Sequence, residues 1–146
     1  MIGYIKGNLL YAEDGVAVID VNGVGYEINC SGAVYKELVS NRGGEVYTYT
    51  AVKEDGVSLY GFISREEKKI FLKLISVSGV GPKMGIAVLS AMSVNDLTLK
   101  IATGDVKGLS VVKGLGKKTA ERIVLELRDK IGVVADGTDL LPPKAP

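Results

Sequence analysis

Two segments of the chain share a pattern suited to gripping phosphate. Val77-Ser78-Gly79-Val80-Gly81-Pro82-Lys83 and Val112-Lys113-Gly114-Leu115-Gly116-Lys117-Lys118 both read apolar-x-Gly-apolar-Gly-x-Lys, displaced by 35 residues. Glycine reaches positive φ and lets the backbone approach a ligand closely. A helix beginning just after it presents unpaired N–H groups at its positive dipole end, where an anion is stabilised. The lysines add longer-range attraction. Contacts of this kind position a nucleic acid without reading its bases. The candidate ligand-binding residues are therefore Gly79, Val80, Gly81 and Lys83 in the first copy, and Gly114, Leu115, Gly116, Lys117 and Lys118 in the second. Either copy alone is equally a tight turn between helices; two in register amid basic residues favour the phosphate reading. Neither segment completes Gly-x-x-x-x-Gly-Lys-Ser/Thr or Gly-x-Gly-x-x-Gly, so a nucleotide site and its cofactor are not expected.

Helical patterns flank both copies. Ser64 with Glu67 reads as a capping box opening a helix that runs to about Ser76. Ser93 with Asp96 opens another, through Ile101 and stopped at Thr103-Gly104. Ala120, Ile123, Val124, Leu127 and Ile131 recur at helical spacing in the last. Arg122 lies on that helix's outward face, where it can reach a phosphate or pair with Glu126 one turn on.

Upstream the period changes to two. Ile2 to Tyr11, Val16 to Val21 and Val24 to Asn29 read as strands, the last two joined by the hairpin pair Asn22-Gly23. Gly32 to Val39 reads as a short helix ending near Asn41-Arg42-Gly43-Gly44. Glu45 to Lys53 alternates, with Val46, Thr48, Thr50 and Val52 on one face and Tyr47, Tyr49 and Ala51 on the other. Ser58 to Phe62 follows the turn Glu54-Asp55-Gly56. Three strands, a helix and two strands is the order of a small OB-type barrel; a generic five-stranded or SH3-like barrel fits the same order. The expected class is α+β and multidomain: a five-stranded OB-type barrel followed by an all-helical domain.

Charge and aromatic content break at the same place. Residues 1–63 carry 4 Lys+Arg against 8 Asp+Glu, net −4, and all seven tyrosines. Residues 64–131 carry 13 against 7, net +6, with Phe71 their only aromatic. Domains at 1–63 and 64–131 are expected, the second basic enough for a polyanionic partner. Gly132 to Pro146 loses periodicity and reads as a linker. With no histidine and one cysteine in 146 residues, the usual zinc sets, a disulfide and Ser-His or Cys-His nucleophiles are excluded. Cys30 reads as a small buried hydrophobe. No apolar run approaches the ~20 residues that cross a bilayer, and no leader pattern is present, so the cytoplasm is the expected location.

Taken together, the paired Gly-Val-Gly-Pro-Lys and Gly-Leu-Gly-Lys-Lys-Thr-Ala-Glu-Arg segments resemble tandem helix-hairpin-helix motifs. Met1-Ile2-Gly3, Asn22-Gly23-Val24-Gly25-Tyr26-Glu27 and Leu59-Tyr60-Gly61-Phe62 resemble the RuvA family, over residues 1 to about 131. The family comprises the Holliday-junction-binding subunits of the bacterial branch-migration machine, active in recombination, DNA repair and the SOS response. The resemblance implies a noncatalytic homotetramer, one or two per four-way junction, with hairpins gripping the minor-groove-side phosphates of the arms. A separate hexameric ATPase, RuvB, drives the DNA, and the resolvase RuvC joins the larger complex. Glu54 and Asp55 match the family's acidic pin, which repels strands at the crossover. Without the resemblance they are a soluble turn.

Family members normally continue through a linker into a third, small helical domain that contacts the ATPase, whereas this sequence stops at Pro146. It is expected to bind junctions but to couple poorly to RuvB. Two other readings stand beside this one. A helix-hairpin-helix glycosylase or nuclease would need a placed carboxylate with an amine or a metal cluster, and an OB-type RNA or single-strand binder would show no preference for four-way DNA.

Overall fold

Two Asx-Gly turns start the fold. Asp14 and Gly15 (φ 51° and 82°) join β1 (Tyr4–Glu13) to β2 (Val16–Val21), and Asn22 and Gly23 (φ 52° and 93°) join β2 to β3 (Val24–Cys30). Positive φ at both central positions matches the right-handed twist of the strands, so each pair closes as an antiparallel hairpin. The Asp20 carboxylate accepts from Gly23 N–H at 2.7 Å and holds the second turn. The structure, a computed structural model, describes residues 1–136.

Helix α1 (Gly32–Asn41) follows, capped by Ser31, whose hydroxyl accepts from Val34 N–H. The chain then forms β4 (Gly43–Lys53) and β5 (Gly56–Phe62), and the five strands close as a barrel in the order β1-β2-β3-β5-β4. The closing contact is the parallel pairing of Ile28, Asn29 and Cys30 with Leu59, Tyr60 and Gly61. Strand β1 serves two neighbours, β4 through Tyr4–Asn8 and β2 through Asn8–Glu13, with a bulge between Leu9 and Tyr11. Ile5, Ile19, Ile28 and Val46 fill the interior, and Val34 and Leu38 of α1 pack against them. Cys30 belongs to this core; burial pushes its thiol up to about 12, so it is inert as a nucleophile.

Helix α1 ends where expected, at Asn41 with Arg42 at φ 58° as its cap, and Gly43 and Gly44 open β4 opposite Asn8 and Gly7. Two expectations change in detail. The alternation in β4 holds for buried Val46 and Thr48 but reverses at Ala51, buried, and Val52, 75% exposed. The Ser64 hydroxyl accepts from Glu67 N–H as a capping box requires. The Glu67 carboxylate, however, accepts from Ile63 N–H at 2.8 Å and from the Ser31 hydroxyl at 2.7 Å. Because Glu67 is 3% exposed, this bond ties the chain leaving the barrel to the cap of α1. E67A should lower stability, measured by urea unfolding, by about 2 kcal/mol, the cost of stranding buried donors. E67Q, whose amide oxygen still accepts, should lose less than half as much.

The remaining elements are helical: α2 (Arg65–Ile75), α3 (Pro82–Ala91), α4 (Val94–Thr103), α5 (Val106–Leu109) and α6 (Lys117–Asp136). Contacts divide the chain into two compact units, Met1–Lys68 and from Lys69 onward. That division falls inside α2 rather than at Ile63, since α2 opens on the Glu67 network while Phe71 and Leu74 are buried farther along it. Short α5, capped by Asp105, was not legible as a helix, one turn being too short to show a period. Helix α6 continues five residues into the segment expected as linker. A single glycine, Gly132, costs only about 1 kcal/mol in a helix, and the Val133-Val134-Ala135 that follows contains no breaker. The rest of that linker expectation, 137–146, lies outside the described residues.

Candidate nucleic-acid interface

Each glycine segment forms a loop between two helices, and the two loops agree bond for bond. In the first, Val77 N–H donates to Leu74, Val80 N–H to Val77 and Gly85 N–H to Gly81; in the second, Val112 donates to Leu109, Leu115 to Val112 and Ala120 to Gly116. Every member is displaced by 35 residues. The first glycines, Gly79 and Gly114, stand at φ 93° and 89°, where an L side chain is strained. The second glycines, Gly81 and Gly116, are exposed and have open space where a Cβ would sit.

Burial repeats as well. Leu74, Val77, Val80, Val88 and Met92 face the core in the first copy, as do Leu109, Val112, Leu115, Ile123 and Leu127 in the second. One exchange of volume distinguishes them. Gly85 lies against Phe71, with an added Cβ 2.8 Å from the ring, whereas the equivalent positions hold Ala120 and the smaller Val106.

Val80 and Leu115 therefore do not present side chains to a ligand. They are 4% exposed and their amides are consumed within the loops, so their part is to anchor the turns. The open donors lie elsewhere. In α3, the N–H groups of Lys83 and Met84 precede the first intrahelical bond, Gly85 N–H to Gly81 C=O. In α6, those of Lys117, Lys118 and Thr119 precede the bond from Ala120 to Gly116. Exposed Lys83, Lys117 and Lys118 surround these amides, and Lys113 adds a further exposed cation. Each loop offers an anion a helix N-terminus that glycine leaves accessible.

The two loops are neighbours in a reciprocal way. A Cβ on Gly79 would lie 3.9 Å from Thr119 Oγ1, and one on Gly114 3.3 Å from Met84 Cε. Met84 and Thr119 are themselves 35 apart, so each glycine turn sits beside the first turn of the other copy's helix. Sequence reading missed Met84 and Thr119; extending the 35-residue register past the lysines would have paired them. Arg122 is also placed unexpectedly. Its Nη1 donates to Ser78 C=O in the first loop at 3.4 Å, and its Nε stands 3.9 Å from Glu126.

In the barrel unit, Glu54 and Asp55 occupy the two-residue turn between β4 and β5, where Lys53 pairs with Gly56. Both are exposed, and exposed Val52 and Val57 pair just below them. Among the described residues no cluster of three or more Asp, Glu or Cys could hold a metal, and no single helix is long and apolar enough to cross a membrane.

The barrel and the paired loops have separate counterparts among known families. Residues 1–61 match the RuvA N terminal domain and residues 71–129 a SAM-like helix-hairpin-helix tandem. A relative from Marinomonas sp. (strain MWYL1), named Holliday junction branch migration complex subunit RuvA, is 46% identical over 142 residues, covering 96% of this chain and 70% of its own length. Relatives of the same name from Acetivibrio thermocellus and Chromobacterium violaceum are 48% and 44% identical, over 90% and 98% of this chain. The chain spans 65% and 72% of those two relatives' lengths. With an OB-type barrel and a tandem helix-hairpin-helix unit in this order, and such identity along nearly all its length, the chain belongs to the RuvA family.

Proposed function

We propose that this protein binds four-way DNA junctions as a noncatalytic scaffold, holds them open, and presents duplex arms to a RuvB-type ATPase for branch migration in recombination and repair. The observation that carries this reading is the pair of matched loops, each aiming free helix N-terminal amides and lysines outward beside a glycine with no side chain. Two loops, each packed beside the first turn of the other's helix, suit the successive phosphates of a duplex rather than a splayed single strand. Four copies in a homotetramer, one or two of which engage a junction, would supply one such unit per arm. Gly79, Gly81, Gly114 and Gly116 admit the backbone, Lys83, Lys117 and Lys118 hold phosphates, and Val80 and Leu115 shape the turns. RuvC joins the same assembly in this reading, which operates in the cytoplasm and uses no cofactor of its own.

Titrating the chain into a labelled four-way junction, with excess linear duplex at fixed salt, tests the reading. Four or eight chains per junction, not displaced by duplex, is the expected result. Equal binding of both DNAs by a monomer overturns it. Salt must be fixed because released counterions make such affinities fall steeply with ionic strength.

The acidic turn has its own consequence. Four copies bring eight carboxylates of Glu54 and Asp55 toward a crossover, where they repel phosphate within a Debye length of ~10 Å at 0.1 M salt and leave the arms alone. E54Q/D55N should therefore melt at the wild-type temperature and bind a junction at least as tightly, with the gain shrinking as salt rises. A fluorescent base analogue at the crossover should report more stacking in the variant complex. Weaker binding by the variant contradicts a repelling role.

A further inference from the structure

We infer that Arg122 is a positioning residue, which fixes the first hairpin loop from the helix of the second, rather than chiefly a phosphate contact. The inference deepens the junction-binding reading and rests on it for its DNA arm. Three observations support it. Arg122 Nη1 donates to the carbonyl of Ser78, the residue directly before the positive-φ Gly79. Arg122 lies three residues, close to one helical turn, beyond Thr119, which already flanks Gly79. The tie has no counterpart, because the 35-residue register places Ala87 opposite Arg122 and Lys113 opposite Ser78. Alanine cannot span to a loop carbonyl. In an otherwise bond-for-bond repeat, one loop is held by a guanidinium and the other is not.

The physical role follows from the geometry. Ser78 C=O is on the loop backbone itself, so a bond there constrains the turn that orients Gly81 and the free amides of Lys83 and Met84. A guanidinium is well suited to such a tie, since it stays charged, its planar fork gives directional donors, and those not used on Ser78 remain for Glu126 or solvent. The bond is exposed, and Arg122 also neighbours Glu126 at 3.9 Å, so the effect is local rather than a matter of global stability. Removing Arg122 should loosen the first hairpin alone and, through it, the phosphate grip of Lys83.

The repeat supplies an internal control. Val80 N–H to Val77 and Leu115 N–H to Val112 are the same bond in the two loops, both 3.0 Å. Amide hydrogen exchange in the free, full chain should show Val80 exchanging about fivefold faster in R122A, the weight of one net hydrogen bond, while Leu115 is unchanged. R122K, which keeps a donor of similar reach, should recover most of the protection. Equal change at both amides, or none at Val80, overturns the inference. On a four-way junction, a cycle of double mutants adds a second reading. K83A should cost at least threefold less affinity in the R122A background than in wild type, whereas K118A should cost the same in both. If all these effects are independent, Arg122 is an ordinary phosphate contact. The exchange arm needs no DNA, so failure of wild-type junction binding would refute the functional reading without deciding the role of Arg122.

Discussion

Replacing Gly81 and Gly116 together by threonine should leave the melting temperature within a degree or two of wild type and lower junction affinity about 100-fold. Both positions offer open space to a side chain, and Gly81 stands at φ −95° and ψ 177°, a conformation that β-branched residues favour. Both occupy the cap position of the helix that follows, where threonine and glycine are about equally tolerated. The free protein therefore has little reason to object. A phosphate has two. The added bulk stands where backbone and ligand must approach, and the new hydroxyl turns inward to accept the first-turn amides otherwise left for the ligand. Losing one charge-assisted hydrogen bond in each loop, at about 1.5 kcal/mol apiece, accounts for the factor. Melting curves read beside a junction titration at fixed salt separate the two effects. Wild-type affinity in G81T/G116T would show that the loops are merely turns. By contrast, G79A/G114A should lose stability first, because both sites hold φ near +90°.

The largest effect on folding should come from G43A. Gly43 stands at φ 142°, and a Cβ there would sit 2.5 Å from Gly7 C=O and 3.0 Å from Asn8 Cα, backbone atoms of the paired strand that cannot step aside. Backbone strain of ~1–3 kcal/mol and overpacking of similar size together cost about 4 kcal/mol, a large part of a small domain's stability. G3A, which meets nothing within 4 Å, is the matched control. Because every tyrosine lies between Tyr4 and Tyr60, near-ultraviolet circular dichroism of tyrosine follows the barrel unit alone. In urea that signal should be lost at much lower concentration in G43A and at the wild-type concentration in G3A. Equal midpoints would mean that β1 and β4 can part at Gly43 without cost.

Local chemistry made much of this molecule legible in one dimension. Asn22-Gly23 demands positive φ at neighbouring residues and so announced its hairpin; Ser93 and Asp96 closed a cap within one turn; the paired glycine-lysine segments declared both loops and their likeness. All of these depend on atoms three or four residues apart, where sequence distance and spatial distance nearly coincide. The charge break between the acidic, tyrosine-bearing first part and the basic second part was equally plain, since net charge needs no folding to be counted.

Contacts across long stretches of chain were decided only by the tertiary structure. Glu67 satisfied its capping pattern at Ser64 through its amide, yet its carboxylate went to Ser31, 36 residues back, because that hydroxyl was the buried donor within reach. Arg122 had a plausible partner one turn away in Glu126, yet its shorter contact is with Ser78, 44 residues distant. Val80 and Leu115 looked like loop tips open to a ligand and became core, since a turn between packed helices needs an apolar anchor. What the sequence by itself determined was most of each unit's elements, their turns and the existence of two matched glycine-lysine loops. What only the fold decided was which side chain of each loop is spent on packing, which amides stay free, and which cation holds the loop rather than the ligand. Hydrogen-bond partners and burial are set by which surfaces meet, and sequence periodicity records only that a surface will be covered, not by what.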